Sequence, residues 1–257
     1  MLTGTETVTP SGIRVVVLAA TPDPEKLVWQ AAHQDVTPNL SADDSVPASH
    51  GEAIVKRLLQ RGHFGPFEHP HITFNIGGIS RACMAQLTRH RVGISFDVQS
   101  LRYTTVDLDL EAVRAPEGLK FVDEHLVLPP YLRDDPEKPV KVVERGRSPR
   151  RIQEPKTALE RIRMAYATAL RDYFQLISMG VPAEDARMVL PIGLRINLVM
   201  TVNARSLMHI LDMRLPPNAQ WEIRELCGAL LDLAELWMPH TFEWYRENRA
   251  GKHMLAP

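Results

Sequence analysis

The sequence predicts an α+β fold with a central β-sheet flanked by long helices. Short apolar runs rich in β-branched residues, typical of buried strands, are mixed with longer segments of helical period. Strands and helices do not alternate regularly, and the chain has no GxGxxG or GxxxxGKS/T loop, which argues against a Rossmann or P-loop nucleotide site. The 257 residues, 44% of them hydrophobic, could form one large domain or two small ones, and we expect a single domain over 1–257.

The chain begins with a strand followed by helices. Residues 13–20, IRVVVLAA, form a predicted buried strand, and 21–33 form a helix with proline and acidic residues in its first turn. Ser49 and Glu52 have the spacing of a capping box, which predicts a short helix over 49–62 that ends at a glycine.

A second strand and helix precede a basic cluster. Residues 71–76, HITFNI, alternate as a half-buried strand, and the Gly77-Gly78 pair is predicted to end it. Residues 80–90 have a helix-forming composition, with Ser80 as the candidate N-cap. The cluster would then lie at the C-terminus of a helix, where cations are favoured by the helix dipole.

The middle of the chain combines a polar segment with a long helix. Residues 129–156 are proline-rich and charged, and we interpret them as a surface excursion of the single domain. Residues 157–182 have strong helical periodicity, and Gly180 and Pro182 are predicted to end the helix. This helix should carry much of the core.

The C-terminal part contains a strand and two helices. A strand is predicted over 194–203, followed by a helix over 204–214 for which Asn203 is a natural N-cap. The last predicted helix, 218–238, ends before Pro239.

Composition limits the kinds of partner. Thirty basic and thirty-one acidic residues give a net charge of −1, so the overall field does not attract nucleic acid or anionic membranes. We find neither a membrane-spanning apolar run nor a signal peptide, and therefore expect a soluble, cytoplasmic protein. Cys83 and Cys227 lack any CxxC spacing and are interpreted as buried core thiols.

One short stretch concentrates cationic and hydroxyl groups. Arg89, His90 and Arg91 are followed, eight residues later, by Ser100 and then Arg102. A lone RHR tripeptide is most simply a solvated basic helix end. The added arginine and hydroxyl favour an anion site instead, since guanidinium groups bind phosphate oxygens in a bidentate manner.

A second group of polar residues lies downstream. Arg205 and His209 are four residues apart on one face of the predicted helix, beside Asn203 at its start and with Arg214 at its end. Arg187 precedes them. Each arginine by itself is most simply a surface ion pair, but a polar stripe on an apolar helix often lines a site.

Other polar groups are given simpler interpretations. His69 and His71 would share one strand face, but with His63 and Glu68 they form no familiar ligand spacing, so we predict no metal site. Cys83 is interpreted as a buried thiol and not as a nucleophile, since only nearby arginines could activate it.

The chain resembles the flavin-dependent thymidylate synthases in an ordered set of motifs. These are GHFGPFEH (62–69), QLTRHR (86–91), SFDVQSLRY (95–103), ARMVLP (186–191), TVNARSLMHILDMR (201–214) and NAQWEIR (218–224). The resemblance implies reductive methylation of dUMP to dTMP, with methylenetetrahydrofolate as carbon donor, FAD as hydride carrier and NADPH as reductant. It also implies a homotetramer with active sites at subunit interfaces.

The resemblance also assigns roles to individual residues. The implied FAD contacts are His63, Arg89, His90, Arg91, Asn203, Arg205 and His209. The implied dUMP contacts are Gln86, Ser100, Leu101, Arg102, Arg187 and Arg214. Arg214 and Ser100 are assigned to the catalytic centre, but Ser100 has no adjacent base and is interpreted as a substrate-contacting hydroxyl, not a nucleophile.

The chain departs from the family pattern at three places. The spacing from RHR to Ser100 is eight residues where seven are usual, which predicts a bulged loop. It also leaves Val98 at a position that is often polar, for which Asp97 or Gln99 could substitute. Asn218 replaces a flavin-contacting histidine, and Gly65 replaces a hydroxyl residue. Two alternatives therefore remain, a non-catalytic flavin- or nucleotide-binding module and, less favoured by the neutral charge, an RNA-binding protein.

Overall fold

The computed structural model describes residues 2–45, 48–104, 118–133, 141–142, 150–151 and 155–252. They divide into two compact units. The first unit comprises residues 1–78, 83–98 and 197–257, and the second comprises 79–82 and 99–196. The predicted α+β class is confirmed, whereas a single domain over 1–257 stays a prediction.

The described strands and helices are as follows. The strands are β1 (Glu6–Val8), β2 (Arg14–Ala20), β3 (His71–Ser80), β4 (Ile94–Val98), β5 (Lys141–Val142), β6 (Arg150–Arg151) and β7 (Arg195–Asn203). The helices are α1 (Pro24–Gln34), α2 (Ala48–Arg61), α3 (Arg81–Leu87), α4 (Gly118–His125), α5 (Pro130–Arg133), α6 (Pro155–Ser178), α7 (Ala183–Ala186), α8 (Ala204–Arg214), α9 (Trp221–Trp237) and α10 (Pro239–Asn248). Short 3₁₀ turns cover Ser41–Asp43, Gly65–Glu68 and Arg187–Val189.

A five-stranded sheet in the order β1-β2-β3-β7-β4 forms the base of the first unit. β2 pairs with β1 and β3, and β4 with β7, all antiparallel. Ile72, Phe74 and Ile76 alternate along β3 and are fully buried, as period-two patterning requires for a sheet with one covered face. α8 and α9 supply much of the remaining apolar surface of this core.

The second unit is organised around α6. Eight buried apolar residues form its core: Leu101, Val122, Leu126, Leu128, Leu132, Leu159, Leu170 and Leu194. α6 ends as predicted, because Gly180 has a φ of 85° and the amides of Gly180 and Val181 donate to the carbonyls of Ile177 and Leu176. This pairing is a Schellman motif, which favours glycine at the left-handed position.

The structure corrects several predicted boundaries in the first half of the chain. β3 does not end at Gly77 but continues to Ser80, since Gly77 leaves room for the side chain of Asn197, whose Oδ1 accepts a hydrogen bond from the amide of Gly78. α2 begins at Ala48, so Ser49 lies inside the helix and not at its N-cap. The predicted helix over 80–90 already ends at Leu87.

The polar segment 129–156 is only partly described. Residues 134–140, 143–149 and 152–154 lie outside the described part of the chain. Within it, Leu132 is 1% exposed and belongs to the core of the second unit. The interpretation of this segment as surface is therefore wrong at Leu132, because one apolar residue in a polar sequence is enough to anchor a short helix.

Candidate active site

A cavity of about 470 Å³ opens in the first unit where the loop after α3 approaches α8. Its lining combines charged, aromatic and apolar groups: Glu68, Arg89, His90, Arg91, Val92, Ile94, Arg205, Ser206 and His209. Three of these residues are arginines and one is a carboxylate, so the cavity carries a net positive charge. The loop and the helix face that the sequence singled out therefore meet at one site.

The RHR segment leaves α3 in a turn that separates its three side chains. The amide of His90 donates to the carbonyl of Leu87, and Nε of Arg91 donates to the carbonyl of Thr88. His90 is buried, at 8% exposure, whereas Arg91 is exposed. The two arginines thus retain polar groups for a ligand, while the histidine belongs to the wall of the cavity.

A glycine holds this turn against the start of α8. Gly93 has a φ of 67°, and its carbonyl accepts a hydrogen bond from the amide of Asn203. Oδ1 of Asn203 accepts from the amide of Ser206 at 2.8 Å, which confirms the predicted N-cap. Oγ of Ser206 donates to the carbonyl of Val92 at 2.7 Å. Asn203 therefore holds the Gly93 turn and the start of α8 together, but it does not itself line the cavity.

Arg205 is held by a carboxylate that our sequence reasoning did not assign to the site. Its Nη1 lies 2.5 Å from Oε1 of Glu68, in the 3₁₀ turn Gly65–Glu68. The two residues are 137 positions apart, and both are partly exposed. The only sequence signal was the position of Glu68 inside the GHFGPFEH motif.

Arg214 is hydrogen-bonded to His90, one of the residues that line the cavity. Its Nε donates to Nε2 of His90 at 3.1 Å, and its Nη2 donates to the carbonyl of Gln86 at 3.2 Å. Because a guanidinium can only donate, Nε2 of His90 must be the accepting nitrogen, and the imidazole carries its proton on Nδ1. Two fixed acceptors, Nε2 of His90 and the carbonyl of Gln86, orient the guanidinium plane of Arg214.

The electrostatics keep His90 neutral. Burial, followed by the positive charge of Arg214, lowers the pKa of His90 from 6.5 to about 4. His209 lies edge-on to it, with 5.3 Å between the ring centroids. At neutral pH the imidazole therefore accepts from Arg214 without adding a further positive charge.

A second group of predicted residues lies in the second unit around Glu184. Nε of Arg102 is 3.1 Å from Oε2 of Glu184, and Nε of Arg187 donates to the carbonyl of Glu184 at 3.0 Å. Both arginines are thus oriented by one residue in the first turn of α7. No sequence pattern indicated that Glu184 would connect them.

Ser100 begins a tight turn that also fixes Arg102. Oγ of Ser100 accepts a hydrogen bond from the amide of Arg102 at 3.3 Å, and its carbonyl accepts from the amides of Tyr103 and Thr104. Leu101 is buried in the core of the second unit, at 3% exposure. A substrate contact from Leu101 must therefore use its backbone.

The longer spacing before Ser100 does not produce a bulge within β4. Residues Ile94 to Val98 pair with Val202 to Leu198 in continuous register. The predicted bulge is thus absent from the strand, because a regular edge strand preserves all its ladder hydrogen bonds. Asp97, which could have replaced the polar group missing at Val98, is exposed.

Four further positions that the sequence singled out lie apart from the cavity lining. Nε2 of His63 is 3.3 Å from Oδ2 of Asp35, and both side chains are more than half exposed. His69 precedes β3, so the expectation that it shares a strand face with His71 is wrong. Asn218 is exposed, and a side chain at Gly65 would meet nothing within 4 Å.

The cysteines are core residues, as predicted. Cys83 and Cys227 are both fully buried. Burial raises the pKa of Cys227 to about 12 and raises that of Cys83 further above its usual range. Neither thiol is available as a thiolate near neutral pH.

The described part of the chain contains neither a membrane-spanning helix nor a metal-binding cluster. No helix there is long and apolar enough to cross a membrane. No group of three or more histidine, cysteine, aspartate or glutamate side chains is arranged there to hold a metal ion.

Comparison with known proteins places the chain in a family. Residues 16–240 match the family model described as thymidylate synthase complementing protein. A flavin-dependent thymidylate synthase of Halobacterium salinarum is 45% identical, over 95% of this chain and 100% of its own. Another, of Haloarcula marismortui, is 42% identical, over 95% of this chain and 99% of its own.

A solved structure agrees at the level of the fold. The UMP/dUMP methylase PolB from Streptomyces cacaoi, bound with 5-Br dUMP, superimposes with a TM-score of 0.75 and 22% sequence identity. The match covers 98% of this chain and 100% of the other. The matches in sequence, extending over nearly the whole chain, show that this protein belongs to the family of the flavin-dependent thymidylate synthases.

Proposed function

We propose that this protein catalyses the reductive methylation of dUMP to dTMP. The observation that carries the proposal is the positively charged cavity lined by Arg89, Arg91 and Arg205, whose wall includes His90, the hydrogen-bond acceptor of Arg214. Family membership supports the same reaction, since the similar proteins are named flavin-dependent thymidylate synthases. A site of this kind can bind and orient anionic nucleotides, which is the main task of a protein whose cofactor supplies the redox chemistry.

The cavity suits the phosphate part of a flavin nucleotide. Its three arginines outnumber the single carboxylate of Glu68, so a bound pyrophosphate would compensate charge that the chain leaves in excess. We assign FAD contacts to Arg89, His90, Arg91, Arg205 and His209, which line the cavity, and a role in the FAD site to His63 and Asn203, which lie outside its lining. FAD, when bound, supplies hydride transfer. Asn203 acts by capping α8 and holding the wall of the cavity in place.

The dUMP contacts are proposed in each unit separately. In the first unit these are Gln86 and Arg214, and in the second unit Ser100, Leu101, Arg102 and Arg187. Arg214 is oriented by His90 and by the carbonyl of Gln86, so its guanidinium can present fixed donors to the substrate. Arg102 and Arg187, both oriented by Glu184, are suited to phosphate oxygens.

The remaining participants are proposed from the family resemblance. Methylenetetrahydrofolate would provide the carbon unit and NADPH the reducing equivalents. The protein would act in the cytoplasm as a homotetramer. Exposed apolar side chains at Met188 and Ile192, 83% and 73% accessible, are compatible with a surface that a second copy covers.

The experiment is an anaerobic incubation of purified protein with FAD, NADPH, dUMP and methylenetetrahydrofolate, with dTMP measured by mass spectrometry. Reactions that lack FAD and an Arg187→Ala variant, purified in parallel, control for a contaminating synthase. We expect dTMP only in the complete wild-type reaction. Binding of FAD and dUMP without dTMP would instead support the non-catalytic binding module, and salt-sensitive binding of RNA would support the nucleic-acid alternative.

A further inference from the structure

A buried ion pair joins α10 to α8, the helix that brings Arg205 and His209 to the cavity lining. Nη2 of Arg249 lies 2.8 Å from Oδ2 of Asp212, and the two side chains are only 9% and 1% exposed. Oδ1 of the same carboxylate accepts a hydrogen bond from the phenol of Tyr245 at 2.8 Å. Both oxygens of this α8 carboxylate thus bind groups of α10, whose C-cap is Arg249.

The same guanidinium contacts the turn that carries Glu68. Cζ of Arg249 lies 5.8 Å from the ring centroid of Phe64, which is within the range of a cation–π interaction. Phe64 directly precedes the 3₁₀ turn, and its ring lies 6.3 Å from that of the buried Phe67. Glu68 ends the turn and binds Nη1 of Arg205 at 2.5 Å. Contacts therefore run from Arg249 through the turn to the cavity lining.

The burial of this ion pair distinguishes it from the other ion pairs of α10. Removing one partner of a buried pair leaves an uncompensated charge, so the Arg249–Asp212 pair strongly favours one arrangement of the two helices. Arg246 of α10 also pairs with carboxylates, those of Asp232 and Glu235 on α9, but its side chain is 44% exposed. Exposed pairs of this kind contribute little, because solvent screens them. Only the Arg249 pair is thus suited to fix the position of α8.

The Glu68–Arg205 pair needs support of this kind. Its side chains are 50% and 39% exposed, so the pair by itself fixes its geometry only weakly. The placement of the two side chains therefore depends on the turn and on α8, which pack directly against each other. Arg249 contacts both elements, through Phe64 at the turn and through Asp212 on α8.

We propose that Arg249 is a positioning residue of the flavin site, which holds α8 against the turn so that Glu68 and Arg205 keep their relative placement. The inference rests on the proposed function, because that function supplies the flavin nucleotide. Arg249 lies outside every motif that identified the family, and it does not line the cavity. It acts on the affinity for FAD through Phe64 and Asp212.

The test compares FAD binding by variants of Arg249 and Phe64 in the full chain. Arg249→Met removes the charge but keeps a long stem, Arg249→Lys keeps the charge without the planar fork, and Phe64→Leu removes only the aromatic ring. Arg246→Met is the matched control, since it removes the same charge from the same helix. Dissociation constants for FAD are measured on flavin-free protein by the change in flavin fluorescence, well below every thermal midpoint, and the thermal midpoints are recorded in parallel.

A positioning role predicts a specific pattern of FAD affinities. We expect Arg249→Met to weaken FAD binding about tenfold, as for partial loss of the charged hydrogen bonds from Arg205, and Arg246→Met to change it less than about twofold. Arg249→Lys should restore part of the affinity. Phe64→Leu alone should weaken binding, and it should add less in the Arg249→Met background than in the wild type, because both residues act by one route.

A lower thermal midpoint of Arg249→Met does not decide the question, because a structural role also predicts it. If Arg249→Met binds FAD as tightly as the wild type, or if its effect on FAD affinity and that of Phe64→Leu simply add, Arg249 is only structural. Where Arg249→Met yields no folded protein, the same comparison is made with Arg249→Lys. If the wild-type chain binds no FAD, the proposed function itself fails, and the role of Arg249 fails with it.

Discussion

Gly93 offers a sharp test of how the cavity is built. A Cβ at this position would lie 2.3 Å from Nδ2 of Asn203 and 2.4 Å from Oγ of Ser206, far inside van der Waals contact. The backbone at Gly93 also has a φ of 67°, in the left-handed region that L-residues avoid. The Gly93→Ala substitution therefore combines backbone strain with a collision at the N-cap of α8.

The cost can be estimated from its separate contributions. The left-handed backbone costs an alanine about 1–2 kcal/mol. Displacing Asn203 or Ser206 removes either the N-cap, worth about 1 kcal/mol, or the hydrogen bond to the carbonyl of Val92, worth about 1 kcal/mol. If both polar groups move, the collision adds about 2 kcal/mol to the backbone cost. The total destabilisation is then about 3–4 kcal/mol.

Gly4→Ala is the matched control, because Gly4 has a φ of 86° and a Cβ there would meet nothing within 4 Å. It should incur the backbone cost alone. Thermal unfolding of both variants at one protein concentration should therefore place the midpoint of Gly93→Ala about 4–8 °C below that of Gly4→Ala. FAD affinity of Gly93→Ala should fall as well, since α8 carries Arg205 and His209. Equal midpoints for the two variants would show that the collision is absent and that our account of the turn is wrong.

Three further predictions concern the site. Ser100→Ala should retain activity within about tenfold of wild type, since loss of one neutral hydrogen bond costs about 0.5–1.5 kcal/mol. Complete loss of activity with intact dUMP binding would show that the hydroxyl acts as a nucleophile. Arg214→Lys should reduce kcat/KM by about tenfold or more, because lysine cannot donate to His90 and Gln86 in a fixed plane, whereas the exposed Arg224→Lys should not. His90, with a folded-state pKa of about 4 against 6.5 unfolded, contributes stability that is fully present above about pH 6.5 and is lost as the pH falls to about 4. Urea unfolding across this range should show that the free energy of unfolding of the wild type falls by up to about 3 kcal/mol towards acid pH, and that the His90→Gln variant lacks this decrease. Identical pH profiles for the two proteins would contradict the conclusion that His90 is buried and neutral.

Much of the local structure could be predicted because it depends on neighbours in the sequence. α8 and its Asn203 N-cap, the Gly180 stop of α6 and the buried thiols all follow from short-range patterns, and each was confirmed. β1, β4 and α10 were missed. β4 alternates between exposed and half-buried residues at a sheet edge, so its sequence lacks the apolar run that identified β3. Its strand character comes from pairing with β7, more than 100 residues away.

The sequence by itself determined the family, the α+β class and which polar residues were candidates for the site. Their chemical states were decided by the tertiary structure. Burial and the charge of Arg214 lower the pKa of His90 well below its usual value, and Arg205 is oriented by Glu68 from 137 positions away. Local patterns select backbone conformations, whereas desolvation and charge interactions depend on which distant side chains the fold brings together.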